Sequence, residues 1–295
     1  CGSKYRNRRP IRRDRTSRAM ADTDTDEAQS TDPLTGWWGD FCTTAGFLTR
    51  LPMGKKRDAG AAPQKGDLAR AVRAFPLVGL VVGLLAALAY LIADGLNLPP
   101  FLASLIAVGV MIVITGALHE DGLTDVADAF FDTAPKAEKL KIMRDSRIGV
   151  YGASALVIAL GLRVGALAAI AEAGQVAAAL IATAIASRAA LPALMYRMKP
   201  ARRSGLAATA GKPDQSQVLL TLLLGIAMAL FFLNFLIEGF PGLMAGVIVL
   251  IIGSGGVFGI AYLARRAIGG YTGDVLGAAQ QTMEIAMLLA IVAIL

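Results

Sequence analysis

The sequence predicts an all-α, polytopic integral membrane helical bundle with about seven transmembrane helices. Three observations carry that prediction. The first is composition: of 295 residues, 55% are hydrophobic and only 17% charged, with a mean hydropathy of +0.58. A soluble domain of this size needs more polar surface to cover itself. The second is segmentation into seven apolar stretches, each near the ~20 residues that a helix needs to cross a bilayer core. The third is the placing of Lys and Arg, which fall in alternate connections between those stretches.

The first 35 residues stand apart. Residues 1–20 carry eight basic residues against Asp14, and residues 21–35 carry five acidic residues and no basic one. With no apolar periodicity, 1–35 reads as a disordered charged leader. It lacks the apolar core of a secretory signal. The chain opens on Cys1, with Met20 as the alternative start. Residues 36–295 are expected to form one membrane-embedded catalytic domain. Its first segment, 37–53, is too short and polar to span and is expected to lie in the interface, anchored by Trp37 and Trp38.

The expected spans are 74–93, 99–118, 151–171, 174–195, 218–236, 241–263 and 276–295. Arg163 lies in the third, Arg188 in the fourth, and Gln280, Gln281 and Glu284 in the seventh. Connections 94–98, 172–173 and 237–240 hold no Lys or Arg. Segments 38–73, 119–150, 196–217 and 264–275 hold seven, five, five and two. The alternation predicts that the N-terminus and every long loop face the cytoplasm and that the C-terminus ends outside.

The overall charge of +7 and pI near 9.6 would suggest a nucleic-acid partner in a soluble protein. Here most of it lies in the leader and at the membrane surface, so a lipid bilayer is expected and no nucleic acid. Cys1 and Cys42 make no disulfide framework. One His with two Cys makes a poor structural zinc site.

Segment 117–133, ALHEDGLTDVADAFFDT, carries the most chemistry. Asp121, Asp125, Asp128 and Asp132 are spaced i, i+4, i+7, i+11, within an arc of about 60° on one helix face. Glu120 and His119 lie off that face. No Lys or Arg occurs between 119 and 135. Aligned like charges destabilise a helix unless something neutralises them, and an oxygen-rich set suits Mg²⁺ shared with substrate phosphates. The plain alternative is a solvated face, but solvated faces mix signs. The sign then reverses in KAEKLKIMRDSRIGV at 136–150. The three lysines fit ordinary positive-inside bias. Arg144 and Arg147, in the compact string RDSRIG, suit phosphate binding. Carboxylates beside arginines are the parts of a phosphoryl-transfer site.

These strings resemble the cobalamin synthase family (adenosylcobinamide-GDP ribazoletransferase). The matching residues are HEDGLTDVAD at 119–128 and IMRDSRIGVYG at 142–152. FLTRLP at 47–52, AFPLVGL at 74–80, SRAALP at 187–192 and GGYTGDVLGA at 269–278 follow the same order, with Glu284 downstream. The resemblance covers about residues 38–295. Three positions depart from it. Many members have leucine where this chain has Glu120, and some have Glu where it has Gln281. Ala129 also replaces a glycine.

The resemblance implies an enzyme that joins adenosylcobinamide-GDP to α-ribazole, or to α-ribazole 5′-phosphate, and releases GMP, with Mg²⁺ as cofactor. A second copy of the chain is a further candidate partner. Asp121, Asp125 and Asp128 are the expected metal-binding and catalytic residues, with Asp132 and Glu120 as further ligand candidates. His119 and Asp145 are candidates for the general base. Arg144, Arg147, Arg50, Arg188 and Asp274 are the expected substrate contacts. Arg50 can equally snorkel to headgroups, His119 can be a structural histidine, and Glu284 can pair with Arg188 or Arg163.

Two rival classes are weighed. A CDP-alcohol phosphotransferase carries Asp-Gly-x-x-Ala-Arg, whereas Asp121-Gly122 here leads to Thr124-Asp125 without an arginine. A transporter would use intramembrane Arg163, Arg188 and Glu284, but the densest polar cluster sits at a helix end.

Overall fold

The computed structural model describes residues 33–52, 66–236 and 240–295. All but the last three positions of the charged leader, and the end of the interfacial segment beyond residue 52, lie outside these. Trp37–Leu295 forms one compact unit.

The helices are α1 (Pro33–Leu48), α2 (Asp67–Ala71), α3 (Phe75–Gly95), α4 (Pro100–Thr115), α5 (Leu118–Phe131), α6 (Lys136–Ile142) and α7 (Val150–Ile170). They continue with α8 (Ala173–Ala189), α9 (Leu191–Arg197), α10 (Leu206–Ala210), α11 (Gln215–Leu233), α12 (Phe240–Ala267) and α13 (Gly273–Ile294). Among the described residues no strand forms, only an isolated bridge between Pro200 and Tyr271. Six stretches are long and apolar enough to cross a membrane: α2–α3, α7, α8–α9, α11, α12 and α13.

The second expected span, 99–118, is where the structure differs. Its helix stops at Thr115, Gly116 and Ala117 take positive φ (63° and 57°), and α5 leaves α4 at 89°. The left-handed Gly116 is a normal helix terminator. Turning there carries Asp121, Asp125 and Asp128 across the α4 direction instead of along it. α5 is therefore an acidic helix lying across the end of α4, and the bent α4–α5 pair counts as a seventh stretch only when its two halves are taken together.

α8 is the central helix, with 83% of its spanning window buried, and α13 follows at 72%. α3 packs on α8 through Gly79 and Gly83. A Cβ at Gly79 would sit 2.5 Å from the Ala184 carbonyl oxygen, and one at Gly83 would sit 2.7 Å from Ile181 Cα. This spacing lets two helices approach closely where apolar burial gives no drive between them. On the periphery, Val157, Ile158, Leu223, Phe231, Ile251 and Phe258 point outward, as lipid-facing side chains do.

The four segments that hold the basic residues meet at one end of the bundle. Gly66 N donates to Thr209 O at 2.9 Å, and Arg265 Nη2 donates to Arg197 O at 3.4 Å. Tyr271 N donates to Lys199 O at 3.0 Å, and Ala201 N donates to Tyr271 O at 2.9 Å. Lys136 Nζ lies over Gly269. The acidic helix α5 is packed at this same end, against α13 and α7.

Candidate active site

α5 and the start of α13 are pressed together at Gly122, where a Cβ would lie 2.7 Å from the Asp274 carbonyl oxygen. Only glycine allows that approach, and it brings the Asp121–Asp125 face next to Asp274. Beside this junction lies a cavity of about 150 Å³ lined by His119, Asp121, Arg202, Ser204, Thr272 and Asp274, with apolar walls from Phe47, Leu191 and Leu276.

Asp274 opens α13. Thr272 is the N-cap: its Oγ1 accepts from Val275 N at 3.3 Å and donates to Asp274 Oδ2 at 3.0 Å. Arg202 Nη2 donates to the same oxygen at 3.1 Å. Asp125 is half-buried. Burial, then the carboxylates of Asp274, Asp121 and Asp128, push it up to about 7, against a smaller opposing pull from Arg202. Its folded-state value thus lies above the ordinary 3.8. The folded protein holds this proton more tightly than the unfolded chain. The group's contribution to stability is therefore largest at low pH and is lost as pH rises from about 4 to about 7. In chelator, the thermal midpoint of the wild type relative to Asp125→Asn should fall across that window. A flat difference would contradict the crowding.

Asp128 faces the same way but is engaged. Its Oδ2 accepts from Gly149 N and its Oδ1 from Gly152 N, both at 2.8 Å. These amides belong to the N-cap and first turn of α7, so the carboxylate caps that helix from outside. A Cβ at Gly149 or at Gly152 would strike the Asp128 carboxylate. Gly152→Ala should lower stability by about 1–3 kcal/mol, measured by thermal unfolding in detergent. An unchanged midpoint would mean the cradle is not needed.

The structure places the remaining candidates elsewhere. Asp132 is exposed, and its Oδ1 accepts from Ala134 N at 2.6 Å. Glu120 turns inward, paired with Arg163 Nη1 at 2.8 Å. Glu284 takes Arg163 Nη2 at 2.8 Å, and Gln280 Nε2 donates to Glu284 Oε2 at 2.6 Å. Arg188 is buried behind His119 and donates to Ala184 O at 3.1 Å. Asp145 is exposed and held by Arg147 at about 2, through side-chain and backbone hydrogen bonds. So low a value makes it a poor proton acceptor at neutral pH. Arg147 is turned to that partner, and Arg144 is exposed within electrostatic reach of Arg202. Arg50 packs over Gly116 at the α4–α5 bend. None of Arg50, Arg144, Arg147 or Arg188 lines the cavity.

Of the sequence candidates, His119, Asp121 and Asp274 are brought to the cavity, with Asp125 alongside. His119 Nε2 is buried without a hydrogen-bond partner. Arg202, Ser204 and Thr272 were not picked out by sequence reasoning. Thr272 lay within the GGYTGDVLGA string, whereas Arg202 looked like one more positive-inside residue.

Among the described residues, no three acidic or histidine side chains converge to form a ready-made metal cage. The donor chemistry still fits Mg²⁺, which commonly binds one or two carboxylates and takes its other ligands from water and phosphate. The upward shift of Asp125 among carboxylates marks a place where a cation relieves repulsion.

Comparison with known proteins bears on this arrangement. The profile of the cobalamin-5-phosphate synthase family matches residues 40–292. The chain is 45% identical over 251 residues to the adenosylcobinamide-GDP ribazoletransferase of Bradyrhizobium diazoefficiens, covering 85% of this chain and 92% of that protein. It is 43% identical over 261 residues to the proteins of that name from Brucella canis and Brucella suis, covering 87% of this chain and 97% of theirs. No solved structure matches it. The strings that line the α5–α13 cavity all fall inside the matched region, and the chain belongs to the cobalamin-5-phosphate synthase family.

Proposed function

We propose that this chain is an adenosylcobinamide-GDP ribazoletransferase of the cytoplasmic (inner) membrane, with its site open to the cytoplasm. The observation that carries the reading is the α5–α13 cavity. It sets carboxylates (Asp121, Asp274) against a guanidinium (Arg202) within a chain of this family. The cytoplasmic side follows from the basic segments that gather at that end.

The cavity is too small for a whole nucleotide or a corrin ring, so it takes the pyrophosphate link of the substrate, with the cobinamide and the guanosine on either side of that link lying over the surface. The ribose hydroxyl of α-ribazole, or of its 5′-phosphate, attacks the cobinamide-proximal phosphorus. A new P–O bond forms there, the bond to the bridging oxygen breaks, and GMP leaves with that oxygen. The hydroxyl proton is lost to water at the open mouth of the site, because His119 in the wall has a buried Nε2 and is held well below its ordinary value by burial, then by Arg188 and Arg163. Asp121 and Asp125 would hold Mg²⁺, which when bound supplies neutralisation of the pyrophosphate oxygens. Asp128 holds the start of α7, and with it the RDSRIG loop, against α5.

The transporter reading loses support, because two of its three intramembrane charges, Arg163 and Glu284, pair with each other. Glu120 and Glu284 both bind Arg163.

Membranes containing the protein, given adenosylcobinamide-GDP, α-ribazole and Mg²⁺, are expected to form a product with a single bridging phosphate. Mass spectrometry identifies it, and parallel reactions with α-ribazole 5′-phosphate show which acceptor is preferred. No product from folded protein with either acceptor would overturn the reading.

A further inference from the structure

Arg202 is the one Lys or Arg among the residues lining the α5–α13 cavity. Its side chain is only 16% exposed, yet its hydrogen bonding is thin. Nη2 donates to Asp274 Oδ2 at 3.1 Å, and Nε is buried with no partner at all. A guanidinium carries five donors in a planar fork, and Arg202 makes one side-chain bond while it lines the cavity. A carboxylate can take two parallel bonds from arginine, and here it takes one.

The backbone around Arg202 is fixed, while its head makes the single bond to Asp274. Ala201 N and Lys199 O are bonded to either side of Tyr271, and a Cβ at Gly270 would strike the Lys199 carbonyl. This bridge pins Arg202 opposite the N-terminus of α13, a 22-residue helix that begins at Gly273 and Asp274. Helix N-termini favour anions, and Thr272 and Ser204 add hydroxyls to the same wall.

The geometry points to Arg202 as the residue that binds the pyrophosphate of the nucleotide substrate, exchanging its single contact with Asp274 for phosphate oxygens. Phosphate offers a bidentate partner that Asp274 does not, and the exchange frees the Asp274 carboxylate beside Asp121. This inference rests on the ribazoletransferase reaction and names the cation of its nucleotide subsite.

The test uses the full-length protein in detergent and measures KM separately for adenosylcobinamide-GDP and for α-ribazole. Arg202→Gln is expected to raise KM for the nucleotide about tenfold or more, with KM for α-ribazole within about twofold of wild type. Arg202→Lys, which keeps the charge but not the fork, is expected to fall between. Unchanged KM for both substrates, or an equal rise in both, would overturn the assignment. If Arg202→Gln does not fold, Arg202→Lys carries the test. A rise of about threefold for the nucleotide alone supports the assignment, and no rise overturns it. An inactive wild type would overturn the reaction itself, and this inference with it. An active wild type with an unaltered variant overturns the inference alone.

Discussion

Glu120→Leu is expected to destabilise the bundle by about 3–5 kcal/mol, because it leaves Arg163 with one carboxylate instead of two in a fully buried place. The more informative result is the rescue. Gln281 Nε2 donates to Glu120 Oε1 at 3.1 Å, and Arg163 Nη1 reaches Gln281 Oε1 at 3.4 Å. Glu120 and Gln281 are also two of the three positions that depart from the family resemblance, which implies leucine and glutamate there. The two departures touch. A carboxylate can reach Arg163 from α5 or from α13, and this chain supplies it from α5. Adding Gln281→Glu to Glu120→Leu should therefore recover most of the lost stability, while Gln281→Glu alone should add an unbalanced buried charge. Thermal unfolding of the four proteins gives the coupling energy directly. Additive losses would show that the two sites do not share Arg163.

Asp125→Asn is expected to separate stability from activity. Burial and three neighbouring carboxylates hold Asp125 at about 7, so an uncharged amide of the same shape removes repulsion and should keep or raise the thermal midpoint without metal. The same change removes a proposed ligand to the cation that would offset the pyrophosphate charge. Turnover should fall at least about a hundredfold. Sites that bind charge are commonly strained until the ligand arrives. Asp128→Asn should behave differently. It loses an acceptor to the α7 amides, so its midpoint should drop, while the Mg²⁺ concentration for half-maximal rate stays near wild type. A large rise in that concentration would make Asp128 a metal ligand after all.

Most of the helices could be read from the sequence because bilayer thickness and composition leave few alternatives. The break after Thr115 could not. The apolar run continues through Ala117 and Leu118, and only the left-handed turn at Gly116 redirects it. The acidic face was legible because 100° spacing is a local property, and the same spacing already set Glu120 and His119 apart from it. What Glu120 faces was not legible, since Arg163 and Gln281 come from helices far along the chain. Asp128 shows a related limit: periodicity put it on the acidic face, but its two amide partners come from the start of α7. Arg202 was hidden for another reason. In KPARR it is indistinguishable from residues that serve only the positive-inside bias, until the bridge to Tyr271 sets it against Asp274.

The most direct measurement is GMP release from adenosylcobinamide-GDP by purified wild type and Asp125→Asn, side by side, with α-ribazole and Mg²⁺ present and the midpoints of both proteins recorded. The expected result is one GMP per joined product from the wild type, and release slower by at least about a hundredfold from an equally stable Asp125→Asn. No GMP from folded wild type, or equal rates from the two proteins, would contradict a transfer centred on the α5–α13 carboxylates.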